Sequence, residues 1–196
     1  NPLDNDAKTL NIIKLYKDGT GEVKDREKDG HAFVKRQCMH CVDPACVSAC
    51  PVSALKKDET NGVVTYNKDA CIGCRYCQIA CPFDVPKFEF DKAFPLIRKC
   101  QLCSHRLEKG EIAACAEFCP TGANIFGKVD DLLAEAKKRL AYKPGEYRQY
   151  PVERVDGKQT TERLVTPYVQ RVYGEQEGGG AQVLILAGVP SDKIGL

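Results

Sequence analysis

Twelve cysteines dominate the chemistry open to this 196-residue chain. They fall into three groups of four: Cys38, Cys41, Cys46 and Cys50; Cys71, Cys74, Cys77 and Cys81; Cys100, Cys103, Cys115 and Cys119. The spacings are C-x2-C-x4-C-x3-C, C-x2-C-x2-C-x3-C and C-x2-C-x11-C-x3-C, and each group runs into a proline, Pro51, Pro82 or Pro120. Thiolates are soft ligands that suit zinc, copper(I) or iron–sulfur clusters. Zinc takes two separated C-x2-C pairs, so a third cysteine close behind and a fourth after three more residues are superfluous to it. A disulfide framework matches the even count, but such short loops would strain many of the bridges. It would also leave a motif repeated three times unexplained.

The middle group, CIGCRYCQIACP, is the bacterial ferredoxin run that ligates a 4Fe–4S cluster. Three thiolates two residues apart on one tight loop can cap three corners of a cuboidal cluster. Gly73 has no Cβ to obstruct the curl. The fourth cysteine projects from the next helical turn, and in two-cluster ferredoxins it ligates the other cluster. That rule predicts Cys38, Cys41 and Cys46 on one cluster with Cys81, and Cys71, Cys74 and Cys77 on a second with Cys50. Cys100, Cys103 and Cys115 would hold a third, with Ser104–Ala114 looping out between two of the ligands. Cys119 would then point to a fourth. A self-contained third cluster closed by Cys119, or a three-iron cluster there, are the alternatives.

These loops must be held by short elements. Ala54–Lys57 and Val63–Tyr66 flank Asn61-Gly62, which predicts a hairpin on a type I′ turn. Lys87–Phe90 and Ala123–Phe126 read as short strands. Val129–Leu140 reads as a helix: Leu132, Leu133, Ala136 and Leu140 share a face, with acids in the first turn and bases in the last. Beyond Lys143 there is no cysteine, and five of the eight tyrosines lie between Tyr142 and Tyr173. Gly178–Gly180 reads as a flexible break before an apolar strand, Gln182–Ala187.

The expected fold is therefore α+β: two pseudo-symmetric ferredoxin-like halves with short hairpins and helices, plus an extended C-terminal arm. The expected division is a lead-in segment 1–30, a cluster core 31–127, a helix 128–142 and an arm 143–196. A formal net charge of +2 argues against nucleic acid as the partner. The longest apolar run, Val183–Val189, is too short to span a bilayer. Lys35, Arg36, Arg75, Arg98 and Lys99 lie beside cysteines and could offset cluster charge, although each singly reads as solvated surface charge. His40 and His105 read as neutral surface histidines, with a hydrogen bond to sulfur as the alternative. No acid–base or nucleophile constellation is visible.

The segments CMHCVDPACVSACP, CIGCRYCQIACPFDVPKF and KCQLC…GEIAACAEFCPTGA resemble the polyferredoxin electron-transfer subunits of membrane-bound oxidoreductases. VKRQCMHCVDP, CPVSALKKD, EAKKRLAYKPG and YGEQEGGGAQVLILAGVP resemble the HybA type, found with uptake nickel–iron hydrogenases. The GEQEGGG segment favours that type over the beta subunits of molybdopterin enzymes. The resemblance implies a non-catalytic subunit carrying three or four 4Fe–4S clusters. It would pass electrons between a nickel–iron hydrogenase, through its small subunit, and an integral-membrane quinone-reactive subunit, at the periplasmic face of the cytoplasmic membrane. The family carries four cysteine motifs, and those seen here match its second, third and fourth. The first is expected before Asn1, with a twin-arginine signal, and a membrane helix is expected after Leu196. A molybdopterin reductase or formate dehydrogenase beta subunit, and more remotely a zinc-bearing interaction module, are the competing readings.

Overall fold

In the computed structural model, residues 4–17 and 31–193 are described. The remainder of the expected lead-in segment, 1–3 and 18–30, lies outside them, as do residues 194–196. The strands β1 (Ile12–Lys17) and β2 (His31–Arg36) pair in a two-stranded sheet. The chain forms two compact units. One is assembled from Asn1–Lys14, Lys35–Leu102 and Gly174–Val183, the other from Leu15–Val34, Cys103–Tyr173 and Leu184–Leu196.

The first unit contains α1 (Ala45–Ser48), β3 (Leu55–Lys57), β4 (Val64–Tyr66), α2 (Tyr76–Ala80), β5 (Lys87–Phe88) and β6 (Ile97–Arg98). Its core joins Cys46 and Cys77 to Leu55, Val64 and Ile97. Two cluster-motif cysteines thus serve as core residues, which free thiols do readily. β3 and β4 form the expected antiparallel hairpin, Leu55 opposite Tyr66 and Lys57 opposite Val64. Its turn is not type I′. Of Asn61 and Gly62 only Gly62 takes a positive φ, +70°. The Asp58 side chain accepts from Thr60 and Asn61, and the Gly62 N–H donates to the Asp58 carbonyl at 2.8 Å. Asp58 therefore organises a longer loop in place of the two-residue turn. The strand expected over Lys87–Phe90 stops at Phe88. Beyond it the Glu89 carboxylate gathers the Leu96 N–H, Lys92 and Arg98 into a tight loop.

The second unit contains α3 (Ser104–Leu107), α4 (Ala114–Glu117), β7 (Ile125–Phe126), α5 (Val129–Leu140), β8 (Tyr147–Pro151), β9 (Glu153–Arg154) and β10 (Thr160–Leu164). The helix α5 has the expected bounds. It buries Ala136 and Glu135, and Arg139 donates to Glu135 at 2.8 Å while lying 4.8 Å over the Tyr150 ring. β8 pairs antiparallel with β10, and β7 pairs parallel with β9. The strand expected over Gln182–Ala187 is not formed. The Gln182 N–H donates to the Met39 and His40 carbonyls, whereas Ile185 makes a single bridge with Tyr173. No one ladder serves the whole segment. Among the described residues no helix is long and apolar enough to cross a membrane.

Candidate metal centre

The threefold cysteine motif is also a threefold backbone motif. The residue before the second cysteine is left-handed each time: His40 at φ +49°, Gly73 at +72° and Leu102 at +49°. The third residue after each fourth cysteine is left-handed too: Ser53 at +51°, Asp84 at +49° and Gly122 at +63°. Each third cysteine (Cys46, Cys77, Cys115) is the second residue of a short helix, and each fourth lies at or just past the end of that helix. This geometry turns amides onto sulfur. Gly73 N–H donates to Cys71 Sγ and Leu102 N–H to Cys100 Sγ, both at 3.4 Å. Ala54 N–H donates to Cys50 Sγ at 3.2 Å, and Asn124 N–H to Cys119 Sγ at 3.4 Å. Successive N–H groups around one sulfur make an anion-binding nest, suited to a thiolate.

The nests leave their mark on the fourth cysteines. Burial would raise the Cys50 thiol, but the amides of Leu55, Val52, Ala54 and Ser53 hold it below its ordinary range. Burial opposes ionisation of Cys119 as well, yet the Asn124 amide and the Thr121 hydroxyl bring it down to about 7. At Cys81 burial prevails over the Val85 and Phe83 amides, and the thiol is raised.

In the first unit, Cys50 lines one cavity together with Cys71, Cys74 and Cys77, walled by Leu55, Tyr66 and Ile97. As a free thiol Cys77 is pushed up to about 11, by burial first and then by Cys71, Cys74 and Cys50. A second grouping surrounds Cys38. Cys41 is raised to about 11 by burial and by Cys38 and Cys81, and Cys46 to about 12 by burial, then Cys38, with Cys81 and Cys41 contributing. Of the third group, Cys100 belongs to the first unit, whereas Cys103, Cys115 and Cys119 belong to the second. Cys115 is exposed. Cys119 lines an open cleft of about 550 Å³ with Phe118, Val152 and Thr160, and no other cysteine shares that cleft.

Two expectations about neighbouring cations and histidines need correction. His40 is not at the surface: it is 0% exposed, and its Nδ1 accepts the Val64 N–H at 3.0 Å. Burial and the nearby Lys99 charge hold its imidazole down at about 3, so the ring is neutral with its proton on Nε2. Lys99 is not solvated either. It is 3% exposed, and its Nζ donates to the carbonyls of Val64 and Cys100. Lys35 Nζ and His40 Nε2 are sealed from solvent without a hydrogen-bond partner among the described residues. His105 is exposed, as expected. Arg75 is exposed and lies 5.6 Å over both the Phe88 and Phe90 rings.

The triple glycine is not a loose break. Gly178, Gly179 and Gly180 all hold positive φ values. A Cβ on Gly178 would stand 3.3 Å from Cys41 Sγ, the Val42 N–H donates to the Gly180 carbonyl at 2.8 Å, and Ala181 bridges to Cys41. Gly174–Val183 is therefore a strap laid on the first cysteine loop, made of glycine where backbone must come this near to sulfur.

These residues fit iron–sulfur clusters. Thiols are drawn from two motifs at a time, amides converge on sulfur, and buried donors lie nearby without partners. Among the described residues no three His, Cys, Asp or Glu side chains converge tightly enough to grip one ion. A cubane offers a different iron to each thiolate, so its ligands stand further apart than those around a single zinc. Over residues 30–129 the chain matches the 4Fe–4S dicluster domain. It belongs to that family. The chain is 52% identical over 192 residues to the hydrogenase-2 operon protein HybA of Escherichia coli O157:H7, covering 96% of this chain and 58% of that protein. It is 36% identical over 141 residues to the formate dehydrogenase iron-sulfur subunit of Haemophilus influenzae, covering 72% of this chain and 43% of that protein. The formate dehydrogenase-O iron-sulfur subunit of Escherichia coli K12 gives the same identity and 45% coverage of its own length. The chain thus spans well under two thirds of each of these relatives.

Proposed function

We propose that the chain is a non-catalytic electron-relay subunit of a HybA-type hydrogenase complex. It would receive electrons from the small subunit of a nickel–iron hydrogenase and hand them to a membrane quinone-reactive subunit. The observation that carries this reading is the cavity shared by Cys50 with Cys71, Cys74 and Cys77. It supports reciprocal exchange of fourth cysteines: Cys38, Cys41, Cys46 and Cys81 for one cluster, and Cys71, Cys74, Cys77 and Cys50 for its neighbour. When bound, 4Fe–4S clusters supply one-electron steps. The protein's own residues fix the spacing, donate amides to sulfur and exclude water.

Cys100, Cys103 and Cys115 are proposed as ligands of a third cluster. Cys119, alone among the cysteines in its open cleft, is proposed as ligand to a fourth whose other cysteines precede Asn1. The 58% coverage of the HybA relative leaves room for such a motif. The test is iron per chain in the natural full-length subunit. About 16 irons match four cubanes of four irons each, and about 12 would overturn the fourth cluster. A colourless protein holding zinc would overturn the whole reading. Metal analysis of the co-purifying complex decides the partner: nickel for hydrogenase, molybdenum for the formate dehydrogenase type named among the relatives.

A further inference from the structure

We infer that Lys99 is a built-in counter-cation that makes the cluster site of Cys38, Cys41, Cys46 and Cys81 easier to reduce than the site of Cys50, Cys71, Cys74 and Cys77. The inference rests on the ligand assignment proposed above. Lys99 is almost wholly buried, and no carboxylate among the described residues pairs with it. An ammonium taken out of water without a counter-ion is strongly disfavoured. Two carbonyl dipoles, those of Val64 and Cys100, offset only part of that penalty. The missing negative charge is close by. Lys99 is tied through Val64 to His40, which stands between Cys38 and Cys41 in the first loop. A cubane with four thiolates carries a net charge of about −2 when oxidised, by formal counting.

The position of Lys99 is fixed from both sides of one residue. Val64 donates its N–H to His40 and accepts from Lys99 through its carbonyl, so β4 locks the ammonium beside the buried His40 ring. Among the described residues, the cation that lines the cavity of the other site is Arg75, which is exposed and spread over two phenylalanine rings rather than buried. Reduction adds one electron, delivered by a chemical mediator in the test, and no proton need move. Lys99 favours the added negative charge at the first site, and water screens Arg75 at the second.

The test is a redox titration followed by electron paramagnetic resonance, on the full-length subunit in its complex. Lys99→Met should lower the reduction equilibrium constant of one cluster at least tenfold, which is 59 mV for one electron. The affected signal should be the one that Cys41→Ser also alters. Lys99→Gln keeps a donor for the carbonyls without the charge, and should show the same shift if Lys99→Met does not fold. Lys99→Arg should restore the potential to within about threefold in equilibrium constant. An unchanged potential in both neutral variants, or a shift in the signal that Cys74→Ser alters, would overturn the inference. A wild-type complex with no iron–sulfur signal from this subunit would overturn the proposed function instead.

Discussion

Gly73 carries its left-handed backbone without a side chain, while His40 and Leu102 carry the same turn with one. A Cβ on Gly73 would meet only Phe88, at an ordinary 3.5 Å. Gly73→Ala should therefore cost only the backbone term, about 1–2 kcal/mol. It should lower the guanidinium midpoint for cluster bleaching and leave the visible spectrum unchanged, and a lost spectrum would contradict this. Glu89 gives a second residue-scale prediction. Lys92 first, then Arg98, outweigh burial and hold its carboxyl down at about 2, from an ordinary 4.5. A depressed acid contributes stability above its unfolded value and loses it as pH falls through the folded one. Glu89→Gln should thus destabilise the protein at neutral pH, and the gap to wild type should narrow between pH 4.5 and about 2. Unfolding midpoints measured across that range check it. The twelve cysteines were legible because their spacing is local. Lys99 and His40 were not, because only the backbone of Val64, which bonds to both side chains, buries them together. Nothing adjacent in sequence announces that burial.

At the scale of elements, α5 is, among the described residues, the one helix long enough to be written in its own sequence. Its apolar face, its acidic first turn and its basic last turn agree. Arg139 ends it by joining Glu135 to the buried Tyr150 ring. Tyr150→Ala should cost about 3 kcal/mol and speed amide exchange across 129–140, whereas Tyr150→Phe should keep most of the stability. The cluster helices have only four or five residues, far below the length at which helices stand alone. They exist because a cysteine at each second position and a nest after each fourth cysteine hold them. Such elements are visible in sequence only through their ligands. The aliphatic run Gln182–Ala187 misleads for the opposite reason. Its composition suits a strand, but its hydrogen bonds run to Met39 at one end and Tyr173 further on.

For the whole molecule, the periplasmic location that the family resemblance implies predicts digestion by protease added to intact spheroplasts. Protection there would count against it. The number of clusters lies beyond the reach of the cysteine pattern alone, because Cys119 faces an open cleft rather than another motif of this chain. The strap allows a sharper check. Gly178→Val would press a branched side chain onto Cys41 Sγ, so it should disturb the resonance signal that Cys41→Ser alters and spare the one that Cys74→Ser alters. The same strap sets a clock on biosynthesis. Gly178 leaves the ribosome 137 residues after Cys41, an interval on the order of ten seconds at typical elongation rates. Throughout it the first loop is made but uncovered, and Cys50 must wait for Cys71, Cys74 and Cys77 to be translated. Cluster delivery to a finished site is thus a late event, and a chain that terminates before Gly178 exposes Cys41 permanently.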